Sequence, residues 1–225
     1  MSSFDAILFD FDGVLVDSEP IHYACWFEVL GPYGFRMDYD TYVRTCVGIS
    51  DRTMVEEFAQ SQRPPLDFDL LYAQYPRKKE IFRQHMLAAN PFLPETLDLI
   101  RSLSLPLAVV SSSGRSEIEP SIVHAGIRQH FAAMVCGMEA GKLKPAPDPY
   151  LRAAALLNAQ RPLVVEDSDA GAAAGKAAGF EVLRIARPDE LARLVRNLLR
   201  DANQLNDPTL EPPAAAPLKL NDSDA

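Results

Sequence analysis

The sequence predicts an α/β protein in which a doubly wound parallel sheet carries an inserted, smaller α-helical unit. Two observations support this fold class. Short apolar runs alternate with amphipathic segments through the second half of the chain, which is typical of the β-α units that build a parallel sheet. The first apolar run, 7–9, and the next one, 107–110, are about a hundred positions apart, whereas an ordinary β-α-β unit takes about 30 residues. The excess predicts an insertion directly after the first strand.

The inserted segment, 17–86, is expected to form a helical cap domain, and the segments 1–16 and 87–200 are expected to form the core domain. Broken amphipathic patterns predict cap helices at 21–30, 39–47, 52–59 and 70–86. In the core, the alternation predicts helices near 94–104, 117–125, 150–158, 170–178 and 189–199, and strands that end at 110, 136, 165 and 185. The segment 201–225 is rich in Pro, Ala and Asp and is expected to be disordered.

Two aspartates, Asp10 and Asp12, stand where the first apolar run breaks into a turn at Gly13. Residues two positions apart in a strand point the same way, so both carboxylates would crowd one side of the strand's carboxyl end. Like charges that close require a cation or a proton. Taken alone, the pair is equally compatible with an ordinary turn after a strand, where Asp and Gly are common.

Polar side chains also follow later apolar runs. Ser111 and Ser112 come directly after the run 107–110, where they would either cap a helix or help backbone amides to bind a phosphate oxygen. Lys144 lies in a proline-rich loop, where a lysine is commonly just solvated, and Asp148 is placed to cap the helix that follows. Each of these signals is weak by itself.

Glu166 and Asp167 form the last signal, after the apolar run 163–165, and their alternative role is to complement the dipole of the next helix. Taken in this order, the four signals resemble the haloacid dehalogenase superfamily. The resemblance is to subfamily I, with a helical C1 cap, in the branch that holds sugar phosphatases and β-phosphoglucomutase. It covers about residues 5–187 and implies a Rossmann-like core.

The resemblance also implies a role for each matching residue. The roles are nucleophile for Asp10, general acid and base for Asp12, phosphate binding for Ser111, Ser112 and Lys144, Mg²⁺ binding for Asp10, Asp12 and Asp167, and metal support for Glu166. Direct ligation by Glu166 is the alternative. The chemistry of these residue types agrees, because a phosphate ester brings about two negative charges that repel a carboxylate nucleophile, and Mg²⁺ prefers oxygen ligands. An acidic role for Asp12 near neutral pH requires transient desolvation or a hydrogen bond to its protonated form, which favours a lid over the site.

Four cap residues are candidates for substrate contact: Glu19, His22, Arg52 and Lys78. His22 and Trp26 match a histidine and a tryptophan in the cap of β-phosphoglucomutase, which favours a sugar phosphate. Packing within the cap is the favoured role of Trp26, whereas His22 is equally compatible with an exposed helix position and with the site. The mutase's phosphate-binding arginine aligns with Asp51, and Arg52 follows one residue later. Lys78 matches a cap lysine, although a basic surface cluster is the commoner explanation.

Composition limits the classes of partner. With 225 residues, 48% of them hydrophobic and 24% charged, the chain has the composition of a soluble globular protein. A net charge of −9 argues against a nucleic-acid or anionic-membrane partner, and neither a signal peptide nor a membrane span is apparent. Three scattered cysteines are expected to be reduced, which favours the cytoplasm. A monomer or a weak homodimer is expected.

The function predicted from the sequence is that of a Mg²⁺-dependent phosphatase, which acts on a small phosphorylated metabolite, a sugar phosphate, through an aspartyl-phosphate on Asp10. β-Phosphoglucomutase is the alternative, because the two enzymes differ in the acceptor of the phosphoryl group rather than in the core residues. A third hypothesis, from a different class, is a catalytically idle protein that binds a phosphorylated metabolite and regulates a partner.

Overall fold

The computed structural model describes residues 3–202, whose strands form one five-stranded parallel sheet. The strands are β1 Ala6–Phe9, β2 Leu107–Ser111, β3 Phe131–Cys136, β4 Pro162–Glu166 and β5 Glu181–Arg184. Their order across the sheet is β3-β2-β1-β4-β5, and every neighbouring pair is parallel. The chain therefore starts in the centre of the sheet and winds outwards in both directions, which confirms the predicted fold class.

Ten α-helices are present in the described residues, and six of them lie between β1 and β2. Five of these six begin within the predicted insertion, 17–86. These five are α1 Glu19–Leu30, α2 Tyr39–Thr45, α3 Asp51–Ser61, α4 Phe68–Tyr72 and α5 Tyr75–Ala89. The other five are α6 Pro94–Ser102, α7 Arg115–His124, α8 Asp148–Leu157, α9 Asp169–Ala177 and α10 Leu191–Asp201. The excess of sequence after the first strand is thus helical, as expected.

Two local predictions were wrong. The helix expected at 70–86 is two helices, because Pro76 lies in the first turn of α5, where its missing N–H cannot continue the hydrogen bonding of α4. Asp148 does not cap α8. It is the first helical residue, so its side chain lies beside the first turn rather than ahead of it, and it forms an ion pair with Lys142 at 3.7 Å.

The central strands β1, β2 and β4 are buried on both faces of the sheet, as parallel strands between two helical layers are. Side chains alternate along β1: Ile7 and Phe9 belong to one apolar cluster, and Ala6 and Leu8 belong to the other. Helices α6, α7 and α10 and the inserted helices contribute to the first cluster, and α8 and α9 contribute to the second. The apolar strands are therefore fixed between two layers, and only their ends are free to carry polar groups.

The register of the central strands brings the polar segments together. Phe9, the last residue of β1, pairs with Val109 of β2 on one side and with Val165 of β4 on the other. The residues that follow these three positions lie at the same level, at the carboxyl edge of the sheet. This edge is where parallel α/β sheets place their ligands.

The division into a core domain and a cap domain stays a prediction, and we use the name cap segment for residues 17–86. Helix α5 continues to Ala89, past the predicted boundary. Asp201 ends α10, and from position 203 onward the expected disordered tail, 201–225, lies outside the described residues. In residues 3–202, the search for a helix with the length and apolarity of a membrane span found none.

Candidate active site

Lys144 lies at the centre of the carboxyl edge. Its Nζ is 2.5 Å from Oδ1 of Asp10, 2.5 Å from Oε1 of Glu166 and 2.9 Å from the carbonyl oxygen of Val110. The side chain is only 6% exposed. Burial alone would lower the pKa of Lys144, but the negative charges of Asp10 and Glu166 raise it well above its usual range. Lys144 is therefore a fixed positive charge beside Asp10, rather than a solvated loop residue.

Glu166 is fully buried and accepts five hydrogen bonds. Oε1 accepts from Lys144 Nζ and from the Tyr150 hydroxyl at 2.7 Å. Oε2 accepts from the backbone N–H groups of Asp167 and Ser168 and from the Ser168 hydroxyl, each at 3.1 Å. Burial raises the pKa of Glu166, but these donors, Lys144 above all, outweigh it and lower the pKa. The carboxylate is ionised, and its bonds orient Lys144.

Asp10, Glu166 and Asp167 bring carboxylate oxygens within 4.8 Å of one another. Burial raises the pKa of Asp10, and the charge of Lys144 only partly opposes this. Burial and the charge of Glu166 raise the pKa of Asp167 to about 7. Each of these carboxylates makes ionisation of its neighbours less favourable, and a divalent cation between them would remove this repulsion. Carboxylate oxygens are also ligands that Mg²⁺ prefers.

Two glycines make room for these carboxylates. Gly13 has a φ of +76°, and a Cβ at this position would collide with the carboxylate of Asp167. A Cβ on Gly171 would collide with the carboxylate of Glu166. The turn after Asp12 thus requires glycine for its backbone conformation as well as for the close approach of the acid.

Asp12 is held by three groups. Its Oδ1 accepts from the Ser18 hydroxyl at 2.6 Å and lies 3.6 Å from Nε2 of His22, and its Oδ2 accepts from the Ser113 hydroxyl at 2.8 Å. Burial raises the pKa of Asp12, but the hydrogen bonds from these groups, His22 first, lower it to about 2. In this arrangement Asp12 is a carboxylate at neutral pH, so the acidic role expected from the sequence requires that some of these bonds be lost.

The two serines predicted to bind phosphate lie beside Asp12. The Ser111 hydroxyl accepts from the backbone N–H of Ser113 at 3.0 Å and lies 3.5 Å from Oδ2 of Asp12. Ser112 is exposed and lines a cavity of about 630 Å³. The cavity separates the cap segment from the carboxyl edge, and Asp12 lies in its wall.

The cap side of this cavity contains three of the predicted cap residues, Glu19, His22 and Arg52. Glu19 is partly buried, which raises the pKa of its carboxyl group. The guanidinium of Arg52 lies over the ring of Phe68, 4.6 Å from its centroid, and 5.5 Å from that of Tyr72. Arg52 is thus held against aromatic rings at the cavity wall.

Lys78 is fully buried, so the interpretation as part of a basic surface cluster was wrong. Its Nζ contacts Nδ1 of His22 at 2.8 Å and Oδ2 of Asp51 at 3.2 Å, and it lies 5.1 Å from the centroid of the Trp26 ring. A charged lysine only donates hydrogen bonds, so Nδ1 of His22 accepts, and the ring proton is on Nε2, towards Asp12. His22 accordingly belongs to the site, between Lys78 and Asp12.

Sequence reasoning missed several polar groups of the site. Ser18 and Ser113 both donate to Asp12, and Tyr150 donates to Glu166. Ser113 belongs to the serine run that was already noted, so its position was available from the sequence. Ser18 and Tyr150 gave no signal, because a serine near a helix start and a tyrosine in an amphipathic helix are ordinary.

Comparison with known proteins identifies the family. The model of the haloacid dehalogenase-like hydrolases matches residues 7–185. The chain is 31% identical over 183 residues to the fructose-1-phosphate phosphatase YqaB of Escherichia coli strain K12, with 80% of this chain and 95% of that protein covered. It is 28% identical over 180 residues to a phosphorylated carbohydrates phosphatase of Thermotoga maritima, with 79% and 82% covered.

A solved structure has the same fold as this chain. The β-phosphoglucomutase of Clostridium difficile superimposes with a TM-score of 0.71 at 21% identity, covering 89% of this chain and 98% of that one. The chain belongs to the haloacid dehalogenase-like hydrolase family. Within this family it is a phosphoric monoester hydrolase, the class of both relatives.

Proposed function

We propose that the protein is a Mg²⁺-dependent phosphatase, which hydrolyses a small phosphorylated metabolite, a sugar phosphate, through an aspartyl-phosphate on Asp10. The observation that carries the proposal is the placement of Asp10 against Lys144 and Asp167, next to a cavity with Asp12 in its wall. The names of the two relatives, whose substrates are fructose 1-phosphate and phosphorylated carbohydrates, support a sugar phosphate. The three free thiols support a reducing compartment, the cytoplasm.

In the first step, a carboxylate oxygen of Asp10 attacks phosphorus, and the bond from phosphorus to the ester oxygen breaks. Lys144 carries a fixed positive charge beside the attacking carboxylate, so it counters the repulsion between Asp10 and the phosphate. The hydroxyl of Ser111 and the loop that contains Ser112 are placed to bind phosphate oxygens. Water then attacks the same phosphorus atom and releases Asp10.

Asp10, Asp167 and the backbone carbonyl of Asp12 are the groups we assign to the cation. Mg²⁺ there would screen the negative charge of the phosphate and help to orient it. Glu166 is assigned to support, because its two oxygens already accept five hydrogen bonds. Asp167 accepts no side-chain hydrogen bond from the described residues, which leaves its oxygens available.

Asp12 is the group we assign to the proton transfers. It would protonate the leaving ester oxygen and then take a proton from the attacking water. The low pKa of Asp12 in this arrangement suits the second role, that of a base. Substrate that displaces Ser113, or movement of the cap segment that carries Ser18 and His22, would raise the pKa of Asp12 and supply the acid.

The mutase alternative requires that the protein bind a second phosphate group. At the position that aligns with the mutase's arginine, this chain has Asp51, and its carboxylate is bonded to Lys78 and Trp26. This departure favours the phosphatase. The regulator alternative is countered by the complete set of charged groups around Asp10.

Release of inorganic phosphate from a panel of phosphorylated metabolites tests the proposal. The wild type is compared with Asp10→Asn, with and without EDTA, and with Asp40→Asn as the matched control, since Asp40 is exposed in the cap segment. We expect Mg²⁺-dependent release by the wild type and by Asp40→Asn, and none by Asp10→Asn. Turnover by Asp10→Asn, or glucose 6-phosphate formed from β-glucose 1-phosphate without free phosphate, would reject the phosphatase.

A further inference from the structure

Carboxylates outnumber permanently charged cations on the cap side of the cavity. Its wall contains Glu19 and Asp51 from the cap segment and Glu117 from α7, in addition to Asp12 at the catalytic end. Only two permanently charged cations, Arg52 and Lys79, line the same wall among the described residues. A ligand that extends from the catalytic end into the cavity therefore meets three carboxylates and two cations on the cap side.

The carboxylate of Asp51 is held by side chains of the cap segment. Asp51 is the first residue of α3, and its Oδ1 accepts from Nε1 of Trp26 at 3.2 Å while its Oδ2 accepts from Lys78 at 3.2 Å. Its side chain is 34% exposed, whereas that of Lys78 is 1% exposed. The acid thus faces the cavity and neutralises the buried cation behind it.

The two cations of the wall are also engaged. Lys79 Nζ lies 2.9 Å from Oε1 of Glu117, so this pair adds no net charge. The guanidinium carbon of Arg52 lies 4.6 Å from the centroid of the Phe68 ring. With Lys78 and Lys79 each paired to an acid, Arg52 is the one cation of this wall without a carboxylate partner among residues 3–202.

Hydroxyl groups, by contrast, suit this wall. A carboxylate oxygen accepts up to two hydrogen bonds, and the two oxygens of Asp51 share three donors within the protein: Nε1 of Trp26, Nζ of Lys78 and the hydroxyl of Tyr75. Glu19 lines the cavity, and its side chain has no hydrogen-bond or ion-pair partner among the described residues. Both acids can therefore accept from sugar or polyol hydroxyls, whereas a second phosphate group would bring like charge against them.

We propose that the cavity selects esters with a single phosphate group on a neutral, hydroxyl-rich carrier, and that Asp51 is the residue that discriminates against a second phosphate group. The inference rests on the proposed function, because it places the transferred phosphate at Asp10. It adds the number of phosphate groups that the substrate carries and the residue that selects for this number.

Competition against hydrolysis of p-nitrophenyl phosphate tests the proposal. The inhibition constants of fructose 1-phosphate and fructose 1,6-bisphosphate are measured for the wild type, for Asp51→Asn and for the control Glu56→Gln. Glu56 lies on the same helix as Asp51 and is exposed, so its substitution makes the same change of charge away from the cavity. Circular dichroism and thermal unfolding check that each variant is folded.

We expect the wild type to bind the monophosphate more tightly than the bisphosphate. Asp51→Asn should reduce this preference by about tenfold, because one like charge is removed and Lys78 is no longer neutralised. Glu56→Gln should leave it unchanged. If Asp51→Asn does not fold, Glu19→Gln, which breaks no ion pair, should reduce the preference in the same direction.

Three results would overturn the inference. They are equal or tighter binding of the bisphosphate by the wild type, an unchanged preference in the folded variant that is tested, and no competition by either sugar phosphate. Failure of the proposed function is a different result: the wild type would then not hydrolyse p-nitrophenyl phosphate in the presence of Mg²⁺. The two outcomes are therefore distinguishable within one set of assays.

Discussion

The substitution Glu166→Gln tests whether Glu166 only orients the other residues of the site or binds the cation directly. The substitution keeps the shape of the side chain but replaces one acceptor oxygen by an NH₂ group. Both oxygens of Glu166 face only donors: Lys144 and Tyr150 on one side, and groups of Asp167 and Ser168 on the other. Whichever way the amide is turned, a donor of the protein meets a donor of the glutamine.

The expected loss of stability follows from these contacts. At least two buried donors lose their acceptor, and a buried donor left without a partner costs about 1–3 kcal/mol. Lys144 also loses one of its two carboxylate partners, and removing one member of a buried ion pair costs about 3–5 kcal/mol. Because these effects overlap at the same atoms, we expect the free energy of unfolding to fall by about 3–5 kcal/mol.

Asp167→Asn is the matched comparison. The Asp167 carboxylate has a pKa raised to about 7 by its burial and by Glu166, so the neutral amide should change stability by less than about 1 kcal/mol. Its effect on the cation should be larger, because we assign Asp167 to direct ligation. Urea unfolding gives the stability of each variant, and the shift of the melting temperature with Mg²⁺ concentration gives its affinity without any need for activity.

The expected pattern is a large loss of stability with retained Mg²⁺ binding for Glu166→Gln, and the reverse for Asp167→Asn. The reasoning is refuted if Glu166→Gln stays within about 1 kcal/mol of the wild type. It is also refuted if this variant loses Mg²⁺ binding as completely as Asp167→Asn does, since Glu166 would then be a direct ligand.

Three further predictions concern the same residues. Gly13→Ala should destabilise the protein more than Gly126→Ala, because both positions have positive φ but only a Cβ at position 13 would collide with Asp167. Thermal unfolding of both variants measures the difference, and equal losses of stability would reject the steric argument. Tyr150→Phe should lower the free energy of unfolding by about 1.5–3 kcal/mol, since it removes a buried hydrogen bond to the ionised Glu166, and urea unfolding checks this. In EDTA, the free energy of unfolding should fall as the pH rises from about 4 to about 7. The reason is that the pKa of Asp167 is above its usual value, so the folded state binds more protons than the unfolded state in this range. The dependence of this free energy on pH should be weaker in Asp167→Asn, and an unchanged dependence would show that another group is responsible.

The fold could be predicted because its main signals are local. The strands ending at Phe9, Ser111 and Glu166 are short apolar runs followed by polar residues, a pattern that only a buried parallel sheet explains well. The carboxyl ends of such strands meet at one edge. The grouping of Asp10 and Lys144 at this edge therefore followed from chain order and family resemblance.

The parts that could not be predicted depend on contacts between distant residues. Lys78 looks like one member of a basic cluster, and only the packing of Trp26 and Phe82 against it shows that it is buried. The pKa of Asp12 is lowered by His22, by Ser18 and by Ser113, and the last of these is 101 positions away along the chain. A sequence pattern records neither burial nor such pairings, so the cap side of the site needed the structure.

The central claim is that Asp10 forms a covalent bond to phosphorus. A rapid-quench experiment with a hydrolysed metabolite from the panel, acid quenching within the first turnover, and peptide mass spectrometry would test it most directly. We predict a phosphoryl group on the peptide that contains Asp10, formed before free phosphate appears and decaying as phosphate is released. Phosphate release with no phosphorylated Asp10 at any time, or with the adduct on another residue, would contradict the account.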